Sequence, residues 1–177
     1  MKEKKCKNCG DNFTPRQPLQ YVCGYPCAIE YAKKQREKKE TKDWKKEKKE
    51  RSEKLMTHKD WLNIAQKVFN TYIRQRDKGL PCISCGTNSG QFHAGHYRSV
   101  GSTPELRFNE DNVHGQCATC NNYLSGNLIE YRKNLIKKIG VERVEFLEIK
   151  QPPLKLSIDE IKNLITLYKS KIKELNE

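Results

Sequence analysis

The chain has 177 residues, of which 35% are hydrophobic and 32% charged, and a formal net charge of +13. So few apolar residues exclude a single large core and favour small modules that need a staple, which the eight cysteines can supply. The positive excess points to a polyanionic partner, nucleic acid first, and no run reaches the ~18–20 apolar residues of a membrane span.

The first ten residues, Met1 to Gly10, are rich in lysine and cysteine and carry no apolar stretch. No secretory signal is read there, and the expected location is the cytoplasm. Disulfides are rarely structural in that compartment, so cysteines arranged as four close pairs read as metal ligands. The first group is Cys6-x2-Cys9, thirteen further residues, then Cys23-x3-Cys27. The second is Cys82-x2-Cys85, 31 further residues, then Cys117-x2-Cys120. Each group can close a tetrahedron of thiolates around Zn²⁺ with no open position, which makes both metals structural. Iron–sulfur or redox chemistry uses the same soft ligands and stays open. Gly10 and Gly86 directly follow a cysteine, where a glycine lets the turn bring backbone N–H groups to sulfur. Phe13 is expected to form the small core of the first module.

From about residue 28 to 55 the chain is a Lys/Glu-rich run without Gly or Pro, a composition that favours helix. Between Lys33 and Lys54 it holds 12 basic and 6 acidic residues, and Trp44 is its one large apolar side chain. It reads either as a solvated helix or linker, or as a basic arm along DNA, with Lys45 and Lys46 as phosphate contacts. A second helix is predicted from Thr57, where Thr57-x-x-Asp60 resembles a capping box. Trp61, Ile64, Ala65, Val68, Phe69 and Tyr72 share its apolar face, and Gly79 and Pro81 mark its stop.

Residues 80 to 125 read as irregular, rich in Gly, Asn and Ser, and hold three of the four histidines. A helix is expected after Asn122 or Asn127, ending near Gly140, and a short one over 141–149. Pro152 and Pro153 break the chain. Ser157-x-x-Glu160 caps a last helix with an apolar stripe from Ile158 through Ile161, Ile165 and Tyr168 to Leu175, either core or a dimer face.

The segment HAGHYRSVGSTPELRFNEDNVHGQCATCN carries residue types suited to phosphodiester cleavage. Imidazole can accept a proton from water near neutral pH, and His96 is the candidate general base. A hard divalent cation, Mg²⁺ or Mn²⁺, stabilises charge on phosphate and leaving oxygen. Asn121 and His93 can bind it, and Asn112 can orient the imidazole through a side-chain or backbone carbonyl. Arg98, Arg107 and Arg132 are candidate phosphate contacts. The bland readings are mixed zinc sites for the histidines, turn or cap roles for the asparagines, and packing for Tyr97 and Tyr123.

The order of His96, Asn112 and Asn121, with Asn121 directly after a C-x2-C pair, resembles the His-Asn-His (HNH, ββα-metal) nucleases. The bracketing four-cysteine group resembles phage endonuclease VII. Through AGHYRSVGSTPELRFNEDNVHGQCATCNNYLSGN, Tyr131-Arg132 and the N-terminal cysteines, the chain resembles the phage NinG/Rap recombination proteins. That resemblance implies two strands and a helix around a catalytic metal, and an endonuclease of branched DNA (Holliday junctions, D-loops) in phage recombination. It also implies a bacterial host, a possible homodimer and recombination proteins as partners. Many HNH members carry an acidic ligand immediately before the base histidine, where this chain has Gly95. His93, Asp111 or another carboxylate then supplies the ligand, with His93 favoured and His114 a further option as ligand or substrate contact.

The expected fold is α+β and mainly helical, a small ββα-metal core with two structural zincs and a long basic helix. The expected division is a zinc module over 1–30, a basic helical arm over 31–56, a nuclease domain over 57–150 and a C-terminal helix over 151–177. The alternative function is a non-catalytic zinc-finger DNA-binding or recombination-adaptor protein.

Overall fold

The computed structural model describes residues 2–177 as a mainly helical α+β chain. The chain forms two compact units, Met1–Met56 and Thr57–Glu177. The C-terminal helix belongs to the second unit.

The first unit contains a two-stranded ribbon, β1 (Lys4–Lys5) and β2 (Asn12–Phe13), and one long helix, α1 (Tyr25–Lys54). Helix α1 starts at Tyr25, a little before the Lys/Glu run, because extended Gly24 and Pro26 pre-set its first turn. None of its side chains is buried. Its local support comes from ion pairs one turn apart, such as Lys49–Glu53 at 3.8 Å and Arg51–Glu47 at 2.5 Å. Exposed pairs of this kind contribute only ~0.3–0.5 kcal/mol each. At its other end Asn8 is clasped by Glu30 (2.7 Å) and Lys34 (2.8 Å), which ties the helix to the first cysteine turn.

The second unit opens with α2 (His58–Arg76). Thr57 and Asp60 form the capping box expected, the hydroxyl accepting the Asp60 N–H and the carboxylate accepting the Thr57 N–H. The helix stops at Asp77, two residues before Gly79, because Asp77 is buried and committed elsewhere. Its carboxylate accepts the Gly115 N–H at 2.8 Å and pairs with Arg76. Arg76 in turn donates to the carbonyls of Val113 and Glu110. The C-terminus of α2 is thereby bolted to the sheet.

That sheet is an antiparallel hairpin of β3 (Phe92–His96) and β4 (Val113–Cys117), with His93 opposite Gln116, Gly95 opposite His114, and His96 opposite Val113. The segment read as irregular thus holds two five-residue strands. A short 3-10 helix, Pro104–Leu106, lies in the connection, and a π-helix, Thr119–Tyr123, follows β4. Then come α3 (Leu128–Ile139), α4 (Val141–Glu148) and α5 (Ile158–Glu174), the last capped by the Ser157/Glu160 box.

Side chains alternate across a strand. Ala94 and Val113 on one face pack with Phe69, Tyr72 and Ile73 of α2 and Tyr168 of α5. The Phe69 and Tyr168 rings meet edge to face, centroids 4.8 Å apart. Ile161 and Ile165 of α5 join Ala65 of α2, so the stripe on α5 is core along most of its length and not a free dimer face. On the other side of the hairpin, Tyr97 packs with Ile83, Leu106, Tyr131 and Leu135, and with Val144 and Leu147 of α4. The hairpin is sandwiched between two helix pairs. Among the described residues no helix is long and apolar enough to cross a membrane.

Candidate functional site

The two cysteine groups each converge. Within each, the four sulfurs lie within 4.8 Å of one another. Three of the sulfur–sulfur separations are 3.5–3.7 Å: Cys9–Cys23, Cys23–Cys27 and Cys85–Cys117. A tetrahedron with Zn–S of ~2.3 Å has an S···S edge of about 3.8 Å. The donor sets therefore fit zinc, and both groups can hold it.

The two C-x2-C-G turns are built alike. The N–H of Cys6 donates to Asp11 and that of Gly10 back to Cys6, and Cys82, Thr87 and Gly86 repeat the pattern at 2.8 and 2.9 Å. Both glycines sit at positive φ, +86° and +75°, where a side chain is strained. The turn aims backbone N–H groups at sulfur, as from Asn8 and Cys23 to Cys6 Sγ and from Cys117 to Cys82 Sγ. Burial opposes ionisation of Cys82, but N–H groups of Cys85, Cys117 and Ser84 outweigh it and hold its thiol down at about 7. Burial likewise opposes ionisation of Cys6, where the N–H groups of Cys9, Asn8 and Cys23 hold the thiol at about 6.

The second cluster abuts the hairpin, because Cys117 ends β4 and Cys120 lies in the π-helix. That π-helix carries Asn121 to His93, with the carboxamide nitrogen 3.2 Å from Nδ1 of the ring. The same nitrogen donates to Asn122 Oδ1 at 2.8 Å, so the two expected cation ligands, His93 and Asn121, stand side by side. Asp111, the alternative carboxylate, is instead paired with Arg143. His114 shares the face of His93 but is buried against Tyr131, whose hydroxyl lies 3.4 Å from its Nδ1 and also donates to Gly95. Burial first, then the charges of Lys138 and Arg76, push the His114 pKa down to about 3. It is a neutral internal group, not a substrate contact.

His96 lies on the opposite face. Three residues from His93 on a regular strand, it points toward the α2 side. The structure therefore does not bring His93, Asn121 and His96 onto one face of the hairpin. His96 Nε2 lies 3.2 Å from the carbonyl of Arg107, and burial lowers its pKa, which favours neutral imidazole. Asn112 is not the orienting group. It is fully buried, accepts the Arg98 N–H at 2.7 Å, and donates to the carbonyls of Arg98 and Leu106. It staples the loop between the strands, while its own carbonyl accepts the Tyr97 N–H.

The outer edge of β4 is occupied: Arg76 takes Val113, Asp77 and Ile83 take Gly115, and Cys82 takes Cys117. Pairing alternates along an antiparallel ladder, so the corresponding outward groups of β3 are those of Ala94 and His96. No hydrogen bond from elsewhere among the described residues reaches them, and β3 offers an open edge between the two histidine faces.

The expected phosphate contacts divide. Arg132 grips Glu148 through two hydrogen bonds of 2.7 and 3.0 Å, and Arg107 donates to Gln66 at 2.8 Å. The fork of Arg132 is thus engaged, whereas Arg107 commits only its Nε. Arg98 has a buried Nε without a partner. Lys45 and Lys46 are exposed on α1, with Lys46 3.9 Å from Glu50. Sequence reasoning missed Gln116, whose buried carboxamide fills the space over Gly95 and donates to Ser84 and Gly126. It also read Tyr123 as a packing residue, whereas Tyr123 is exposed.

No solved structure matches this chain. A family model described as "Bacteriophage Lambda NinG protein" matches residues 1–177. The chain is 44% identical to Protein ninG of Escherichia phage lambda, over 97% of this chain and 93% of that protein. It is 43% identical to Protein ninG of Escherichia phage 933W (97% and 93% covered) and 42% identical to that of Salmonella phage P22 (98% and 94% covered). With one model spanning the chain from end to end and relatives this similar over nearly their whole length, the chain belongs to the NinG family.

Proposed function

We propose that the chain is a cation-dependent DNA endonuclease of the HNH class that cuts branched DNA during phage recombination in the bacterial cytoplasm. The observation that carries this reading is the His93–Asn121 pair, 3.2 Å apart, one on strand β3 and the other on the π-helix that holds Cys120 of the four-cysteine cluster. Mg²⁺ or Mn²⁺ bound there would stabilise charge on the phosphate and the leaving oxygen. His96 is the general base: burial favours its neutral form, and the Arg107 carbonyl steadies one ring nitrogen. Because His93 and His96 face opposite sides of β3, one phosphodiester meets both only along the open edge of that strand. Arg98, two residues on, is a further phosphate contact through the terminal nitrogens of its guanidinium. Lys45 and Lys46 of α1 add salt-dependent contacts to DNA backbone.

A second reading is a zinc-stapled DNA-binding adaptor without catalysis. The separation of His93 from His96, and the absence of a carboxylate beside them, favour it. Zinc-replete protein incubated with a four-way junction, a D-loop, a splayed duplex, linear duplex and RNA, with and without added Mg²⁺ or Mn²⁺, separates the two. The nuclease reading expects cation-dependent cuts at the branch. Tight binding to branched DNA with no cleavage under either cation would establish the adaptor instead.

A further inference from the structure

Directly beyond the His93–Asn121 pair the chain presents apolar surface that the nuclease reading leaves unused. Tyr123 is 81% exposed, Leu124 53%, Leu128 47% and Ile129 74%. Four large apolar side chains within seven residues stand uncovered, a local concentration that single scattered exposures do not give. The backbone that carries them is held in place. Ser125, Gly126 and Asn127 adopt positive φ in succession, +48°, +88° and +45°, although two of them are not glycine. Such conformations persist only where surroundings enforce them. Here the Gly126 N–H donates to Cys120 at 2.8 Å, and its carbonyl accepts from Gln116 (2.5 Å) and Ser84 (3.1 Å). Asn127 reaches Cys120 Sγ at 3.8 Å and its N–H donates to Leu124. The zinc-cluster cysteine and the buried Gln116 thus fix a rigid aromatic tip in solvent.

We infer that Tyr123, flanked by Leu124, is a wedge that stacks on an unpaired or unstacked nucleobase at a DNA branch point. The partner follows from the chemistry on the page. The chain carries +13, which suits a polyanion and not an apolar protein groove. An exposed aromatic ring offers a stacking platform to any base, and neighbouring Leu and Ile side chains are the type that prise base steps apart. A continuous duplex has no free base face to offer, whereas a branch point does. The wedge would convert general DNA affinity into a preference for branched substrates. It rests on the nuclease reading above and names what selects that site's substrate.

The test uses the full zinc-replete chain without added Mg²⁺ or Mn²⁺. Binding to a four-way junction and to linear duplex of the same sequence is measured by fluorescence anisotropy for wild type, Tyr123→Ser and Tyr123→Phe. Tyr123→Ser is expected to weaken junction binding by roughly 5- to 150-fold, leave linear-duplex binding within about twofold, and keep wild-type far-UV circular dichroism and zinc content. Tyr123→Phe, which keeps the ring, is expected to behave as wild type. A 5-iododeoxyuridine at the branch should photo-crosslink to Tyr123. Undiminished junction preference in Tyr123→Ser overturns this inference alone. Equal binding of junction and linear duplex by the wild type overturns it together with the branched-DNA reading. A wild-type dimer that Tyr123→Ser turns into a monomer would make the patch an interface between copies of this chain and also overturn it.

Discussion

Asn112→Ala tests whether Asn112 is a loop staple and not an imidazole orienter. Its carboxamide makes three hydrogen bonds, at 2.7, 3.0 and 3.1 Å, all to backbone of the loop that joins β3 to β4. The side chain is fully buried, so its removal leaves the Arg98 N–H and carbonyl without partners and takes one of the two donors from the Leu106 carbonyl, which keeps the Asn109 N–H. Each orphaned group costs ~1–3 kcal/mol, less where a water enters the vacated volume. The expected loss is about 3–5 kcal/mol, a large share of a small domain's stability. Urea unfolding of zinc-replete protein measures it. Amide exchange adds a local readout, because the Arg98 N–H donates to the lost oxygen and should exchange faster. Asn112→Asp keeps that acceptor but loses both donors, so it should protect Arg98 better than alanine while still destabilising the loop. A loss below ~1 kcal/mol with unchanged Arg98 exchange would refute the reasoning.

Three further outcomes follow from the same geometry. Gly95→Ala should destabilise by ~1–3 kcal/mol, because a Cβ there would lie 2.2 Å from Gln116 Oε1 and 2.8 Å from Gln116 Cβ; a double variant with Gln116→Ala should recover part of the loss in the same urea assay. His114 has its native pKa pushed down to about 3, mainly by burial, so the unfolded chain binds a proton that the folded chain refuses. Its contribution is intact above the unfolded value of ~6.5 and is lost as pH falls below it, at up to ~1.4 kcal/mol per pH unit; His114→Asn should flatten that slope between pH 6.5 and 5 in pH-resolved unfolding. Elemental analysis should find two zinc ions per chain, one for each four-cysteine group; Cys82→Ser should unfold the second unit and spare helix α1, since structural zinc contributes ~10–16 kcal/mol.

Local signals were the legible ones. The capping boxes at Thr57 and Ser157 and the C-x2-C-G turns involve residues within a few positions of one another, and the structure contains all of them. The residue pattern obscured the hairpin, because Gly95 and Gly115 depress strand propensity, and only the family resemblance implied two strands there. At Gly95 the Gln116 side chain occupies the space where a Cβ would lie, and at Gly115 a Cβ would sit tightly, 3.1 Å from Asp77 Cβ. Once β3 is seen as a strand, the spacing of His93 and His96 dictates opposite faces. The role of Asn112 was not legible, since its partners Arg98 and Leu106 are set by loop geometry. Nor was the engagement of Arg132 by Glu148, sixteen residues away on α4. The exposure of Tyr123 depends on a π-helix and a run of left-handed residues that Asn-Asn-Tyr-Leu-Ser-Gly-Asn does not announce.

The most direct test of the proposed centre is the cation dependence of branched-DNA cleavage in wild type, His96→Ala and Asn121→Ala. The account predicts a loss on the order of 10²–10⁴-fold in rate for His96→Ala, with junction binding retained and no recovery at higher Mg²⁺ or Mn²⁺. Asn121→Ala should shift the cation requirement upward and regain part of its rate as the cation is raised. Cleavage by His96→Ala at the wild-type rate, or an Asn121→Ala protein whose cation curve overlays that of wild type, would contradict it.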